Sequence, residues 1–147
     1  MSVVEQTRAA APSPFRPPPP PPGTVRPAPE TPADVLDELT AVVTGAAGAV
    51  LASVDGFAIA SSSNMEDDAA HAAMLAAATG LARQLMTIGG GNELRQLVVD
   101  HDEGLLLLWP IGEHLVLAMV AERTVDQSRL RAFVRSRVAL LTGARRS

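Results

Sequence analysis

Between Gly104 and Ala121 the sequence runs GLLLLWPIGEHLVLAMVA. Two apolar blocks, Leu105–Trp109 and Leu115–Val120, flank one break, Pro110–His114. Each block is too short for an independent helix, and Pro110 and Gly112 would interrupt a single long one. The pattern fits a β-hairpin. Neither block alternates cleanly between apolar and polar. A strand that is apolar to both sides is usually covered on both faces. The expectation is a hairpin in the middle of a sheet, with helices above and below.

The remaining segments supply those partners. Pro32 and Asp34 open a helix in which Val35, Leu36, Leu39, Val42 and Val43 recur at helical spacing. Ala49–Val54 and Phe57–Ser61 read as strands joined by a tight Asp55-Gly56 turn. Ser63-Asn64-Met65-Glu66 matches a capping box, with Asp67 and Asp68 in the first turn of a helix reaching about Thr87. That helix has two textures. Met74, Ala78, Leu81, Leu85 and Ile88 form what reads as its core stripe. Ala69, Ala73, Ala76, Ala77 and Gly80 form a stripe of small residues. Such a stripe arises from alanine-rich composition or from close approach by another element. Gly80 favours close approach, because glycine costs a helix about 1 kcal/mol relative to alanine.

Gly89-Gly90-Gly91 ends the helix, and Glu93–His101 has the mixed polarity of an edge strand. Thr124-Val125-Asp126-Gln127 resembles a second capping box. In the last helix Leu130, Phe133, Val134, Val138 and Leu141 face inward, and Arg129, Arg131, Arg135 and Arg137 line the outer surface. Gly143 suits its C-terminal cap. The order is α-β-β-α-β-β-β-α. The fold class is therefore α+β, a five-stranded antiparallel sheet with helices on both faces.

Residues 1–33 differ from this domain, which spans 34–143. An unbroken proline run fills Pro17–Pro22, with further prolines on either side. Such a segment cannot build a core and reads as a disordered tether, or alternatively as a docking peptide for an aromatic groove. Residues 144–147 form a short C-terminal tail.

Composition narrows function. The net charge is −4, every basic residue is arginine, and aromatic content is 3% with no tyrosine. This argues against nucleic acid as a partner. No cysteine is present, so disulfides and thiolate ligands are excluded. No signal peptide or membrane-spanning stretch is legible, which predicts a cytoplasmic protein. The glycine-rich Gly45–Gly48 and Gly89–Gly91 follow helices and precede strands, the reverse of a phosphate cradle. His71, His101 and His114 are scattered, and no serine sits in a nucleophile elbow. No catalytic, cofactor-binding or metal-binding residue is assigned, and the chain reads as a non-enzyme.

The stretch Gly48–Ser62, GAVLASVDGFAIASS, resembles the signature hairpin of Roadblock domains, the dynein-light-chain-related regulators. The acidic start of the long helix, the glycine break and the final three strands extend the resemblance over about Asp34 to Gly143. It implies a non-enzymatic module that homodimerises through the long middle helix and the third strand, joining two sheets into one. It implies partnership with a small Ras-like GTPase and, in actinobacteria, with components of sensor-kinase systems. Carried onto this chain, the dimer interface comprises Ala69, Ala73, Ala76, Ala77 and Gly80, with Leu94, Gln96 and Val98. Arg83, Gln84 and Thr87 are the partner-facing positions. Two other readings remain: a small-molecule sensor of the PAS or GAF kind, and a purely structural scaffold.

Overall fold

The computed structural model describes residues 28–66 and 69–143. The proline run, Asp67 and Asp68, and the tail 144–147 lie outside them. The elements are α1 (Pro32–Val42), β1 (Ala46–Ser53), β2 (Ala58–Ser61), α2 (Ala69–Leu85) with a 3-10 turn (Met86–Gly89), β3 (Leu97–His101), β4 (Gly104–Ile111), β5 (Leu115–Ala121), α3 (Gln127–Ser136) and α4 (Val138–Thr142). The strands form one antiparallel sheet in the order β2-β1-β5-β4-β3. The α+β order expected from the sequence holds, and the β4–β5 hairpin lies inside the sheet. β4 continues through Pro110 to Ile111, so the turn is shorter than the sequence suggested.

The two sheet faces have separate cores. On one, α1, α3 and α4 enclose Leu36, Leu39, Leu51, Leu107, Leu117, Met119 and Leu130. On the other, α2 covers Val50, Ala52, Leu108, Val116 and Ala118. The central strands feed both cores, which explains their lack of alternation. Gly104 opens β4 at φ +146°, where a Cβ would stand 2.6 Å from the Ala121 carbonyl oxygen. This turn therefore admits only glycine without displacing β5.

Local details depart from expectation where side chains take other partners. Helix α1 starts at Pro32, as the sequence predicts. Thr31 is its N-cap, in a reciprocal capping box with Asp34. The Asp55-Gly56 turn is longer than a two-residue hairpin: the Ser53 N–H donates to the Phe57 carbonyl at 2.8 Å, the Gly56 N–H donates to the Ser53 carbonyl at 3.0 Å, and Gly56 stands at φ +97°. Helix α2 begins at Ala69, and the expected Ser63–Glu66 capping box does not open it. The Ser63 N–H donates to Asp37 Oδ1 at 2.7 Å, and Asn64 Nδ2 donates to the Ala47 carbonyl. These bonds tie the loop to α1 and β1. The cap of α3 is Asp126, which accepts from the Arg129 N–H; the Thr124 box is displaced by two residues. The single last helix is two, broken at Arg137. Arg137 leaves the outer row and donates from Nε and an Nη to the two carboxylate oxygens of Glu38, at 3.1 and 3.2 Å, joining the break to α1. Gly143 caps α4 at φ +74°.

Candidate protein-interaction surface

Helix α2 lies on its sheet face through Ala72, Leu75, Thr79 and Ala82, all buried. Three of these are small, so the helix sits close to the strands. The expected core stripe points elsewhere: Met74, Leu81, Leu85 and Ile88 are 53–83% exposed, and only Ala78 is partly buried. The correction has a simple cause. Apolar residues occupy most of this helix's circumference, so two stripes compete for the sheet. The smaller one allows the closer approach.

The two flanks of α2 differ. One faces the β1–β2 turn, where a Cβ on Gly56 would lie 3.6 Å from Ala73 Cα. By helical spacing Ala69, Ala76 and Gly80 share this flank. Nothing lies within 4 Å of a Cβ placed on Gly80. Ala77 points outward between the flanks. The other flank faces β3. There His71, Met74, Leu75 and Ala78 line an apolar cavity of about 310 Å³ with Leu106, Val99 and Leu108. Four small residues of the sequence-derived interface are thus separated from β3 by the width of the helix.

β3 is an edge strand, as expected, but it starts at Leu97 rather than Glu93. Val98 and Val99 are 40% and 44% exposed. Leu94 is half-buried before the strand. Gln96 is engaged within the chain: its Oε1 accepts from Trp109 Nε1 and from an Arg131 Nη, both at 2.7 Å. It faces α3, away from α2. At the C-terminal end of α2, Gln84 and Thr87 are exposed and Arg83 half-buried. They stand among Leu81, Leu85 and Ile88, large apolar residues that lie on the surface rather than in the core.

No group of metal-ligating side chains assembles among the described residues. Asp100 pairs with Arg123 at 2.7 Å, and His101 Nδ1 accepts from the Glu103 N–H. No described helix is long and apolar enough to cross a membrane. What the geometry offers is a binding surface: an exposed apolar helix flank, an open groove and an unpaired strand edge, side by side.

Comparisons with known proteins fit that geometry. The family model described as Roadblock/LC7 domain matches residues 32–121. Among solved structures, a Roadblock/LC7 domain from Streptomyces avermitilis is 27% identical, with a TM-score of 0.68, covering 78% of this chain and 98% of its own. MglB of Myxococcus xanthus shares the fold at 19% identity and TM-score 0.65, covering 77% of this chain and 93% of its own. The gliding protein MglB of Thermus thermophilus does so at 19% and 0.63, covering 79% and 90%. No match emerges among functionally curated proteins.

Proposed function

The chain belongs to the Roadblock/LC7 domain family, and we propose that it works as a non-enzymatic, homodimeric regulatory module of the cytoplasm that binds a small Ras-like GTPase in a bacterial signalling system. One observation carries the dimer: the β3-facing flank of α2 and the β3 edge expose apolar groups in one continuous strip. Met74, Leu81 and Leu85 are too large and too contiguous to be left to solvent without reason. A second copy related by a two-fold axis would lay its own α2 into the groove and pair its β3 edge antiparallel, extending the sheet across both copies. The interface inferred from the sequence keeps Ala77; Val98 stands opposite Leu107, on the α1, α3 and α4 side, so Val99 takes its place beside the groove, and Met74, Leu81, Leu85 and Ile88 take precedence over the small stripe.

The GTPase partnership rests on family membership and on the surface at the end of α2. There Arg83, Gln84 and Thr87 present polar groups beside Leu85 and Ile88, the mixture typical of a regulatory interface. A sensor-kinase component is the second partner on the same argument. The segment ahead of Thr31 acts as the tether, and the domain runs from Thr31, the cap of α1, to Gly143, the cap of the last helix. The sensor reading draws on the cavity under α2, but its lining offers His71 and otherwise apolar groups, without the convergent polar atoms that orient a ligand.

The test pairs purified protein with small GTPases loaded with GDP or a GTP analogue. Saturable binding that differs between nucleotide states, weakened by Arg83→Ala with Gln84→Ala, supports the reading. Nucleotide hydrolysis by this chain alone contradicts it. Stimulated hydrolysis by the GTPase does not, since the partner then carries the chemistry.

A further inference from the structure

A second surface lies on the opposite face of the sheet, where α3 crosses β4. Arg95, Arg131 and Arg135 ring an open cleft of about 220 Å³ floored by Trp109, Pro110 and Val138. Arg131 is held in place: its guanidinium lies 5.5 Å from the Trp109 ring centroid, and it donates to the same Gln96 oxygen that accepts from the indole N–H. Arg123 and Arg137 each have a carboxylate partner. Arg95, Arg131 and Arg135 have none among the described residues. The imbalance is regional. From Gln127 to Ser147 the sequence carries six arginines and no Asp or Glu, in a chain whose net charge is −4.

We propose that this cleft binds an acidic peptide segment of a partner protein, through carboxylates on Arg95, Arg131 and Arg135 and an apolar side chain on the Pro110–Val138 floor. Charge complementarity supplies the first half of the argument. Three guanidinium groups gathered without counter-charge repel one another until an anion bridges them, and arginine matches carboxylate geometry bidentately. Preorganisation supplies the second: Gln96 and Trp109 fix Arg131 before any partner arrives, which lowers the entropy lost on binding. The floor decides between anions. A bare phosphate gains nothing from proline and valine, whereas a peptide with a leucine among its carboxylates gains from both. The site goes beyond the GTPase reading and lies across the sheet from α2, so both surfaces can be occupied together.

Trp109 is the only tryptophan of the chain and forms the cleft floor, so its fluorescence reports occupancy. The full chain is titrated with a blocked decapeptide of Asp and Glu around one central leucine. Expected are a saturable change in Trp109 emission, an affinity that falls with salt, and a loss of about tenfold or more in an Arg95→Ala, Arg135→Ala double variant. Both arginines are exposed and without a carboxylate partner among the described residues, so the variant keeps the fold. Leu85→Glu, on the other face, leaves this binding unchanged, which separates the cleft from the dimer and GTPase proposals. Equal binding of the Asn/Gln version of the peptide, undiminished binding in the double variant, or no saturation overturns the proposal. Tighter binding of tripolyphosphate or of anionic lipid vesicles than of the peptide also overturns it.

Discussion

One face of the sheet carries three helices and the other carries one. Under α1, α3 and α4 the large side chains point inward: Leu36, Leu39, Leu107 and Leu117 are fully buried. Under α2 the order is reversed. Small residues meet the sheet, while Met74, Leu81, Leu85 and Ile88 face out. Even the polar Thr79 is buried there, its Oγ1 without a hydrogen-bond partner among the described residues. The first face is closed by the chain itself. The second is left half covered, and its exposed half borders the free β3 edge. Apolar content alone therefore does not mark a core. What separates core from interface here is which side chains are large and where they point.

Breaking the closed face should have the largest effect. Leu107→Ala removes a fully buried side chain and is expected to cost about 3 kcal/mol, at any protein concentration, in chemical denaturation. Leu81→Ala on the open face should lower stability mainly at concentrations where the protein associates. Equal, concentration-independent losses at both positions would erase the distinction. Next comes the Arg137–Glu38 pair that fastens α3 and α4 to α1. Arg137→Ala should cost about 1–2 kcal/mol, and a double-mutant cycle with Glu38→Ala should show coupling between the two. Additive losses would mean that the pair contributes nothing specific.

Gly80→Ala sharpens the comparison from the other side. Apart from the neighbouring residues and the helix's own backbone, no described atom lies within 4 Å of the added Cβ, so the exchange should stabilise α2 by up to about 1 kcal/mol. A destabilised variant would show that something packs on that flank. The smallest effect concerns pH. The N–H of Glu30, the Thr31 hydroxyl and the Thr31 N–H hold the Asp34 pKa below its ordinary value. A lowered folded pKa means that its contribution is present above the unfolded value and is lost as pH falls through the folded one. Melting curves in acid should therefore show a small loss in the wild type that is absent from Asp34→Ala.

The sheet was legible because its signals are local. Apolar blocks of strand length, separated by Gly112 or Asp55-Gly56, specify hairpins without knowledge of the rest. Helix caps were legible only in kind. Ser63 and Asn64 have the chemistry of a cap, but α1 and β1 offered them bonds that no sequence window contains. Helix α2 was legible as a helix and not as an orientation. Its two apolar stripes overlap around the axis, and the choice between them depends on how closely a small-residue face can approach β1 and β5. The arginine cleft was hidden for the same reason: Gln96 and Arg131 meet only because α3 folds back over β3 and β4. Read along the helix, those arginines look like an ordinary solvated face.

The central claim is that the open face is closed by a second copy along the β3-facing flank of α2. Light scattering during size exclusion, at tens of micromolar protein, tests it with two variants. The wild type should have twice the 15.3 kDa mass of the chain. Leu85→Glu should run as a folded monomer, because a buried, unpaired carboxylate is costly at an apolar contact. Gly80→Arg, on the opposite flank, should remain dimeric. A monomeric wild type, or a dimer broken by Gly80→Arg and unaffected by Leu85→Glu, would contradict the account.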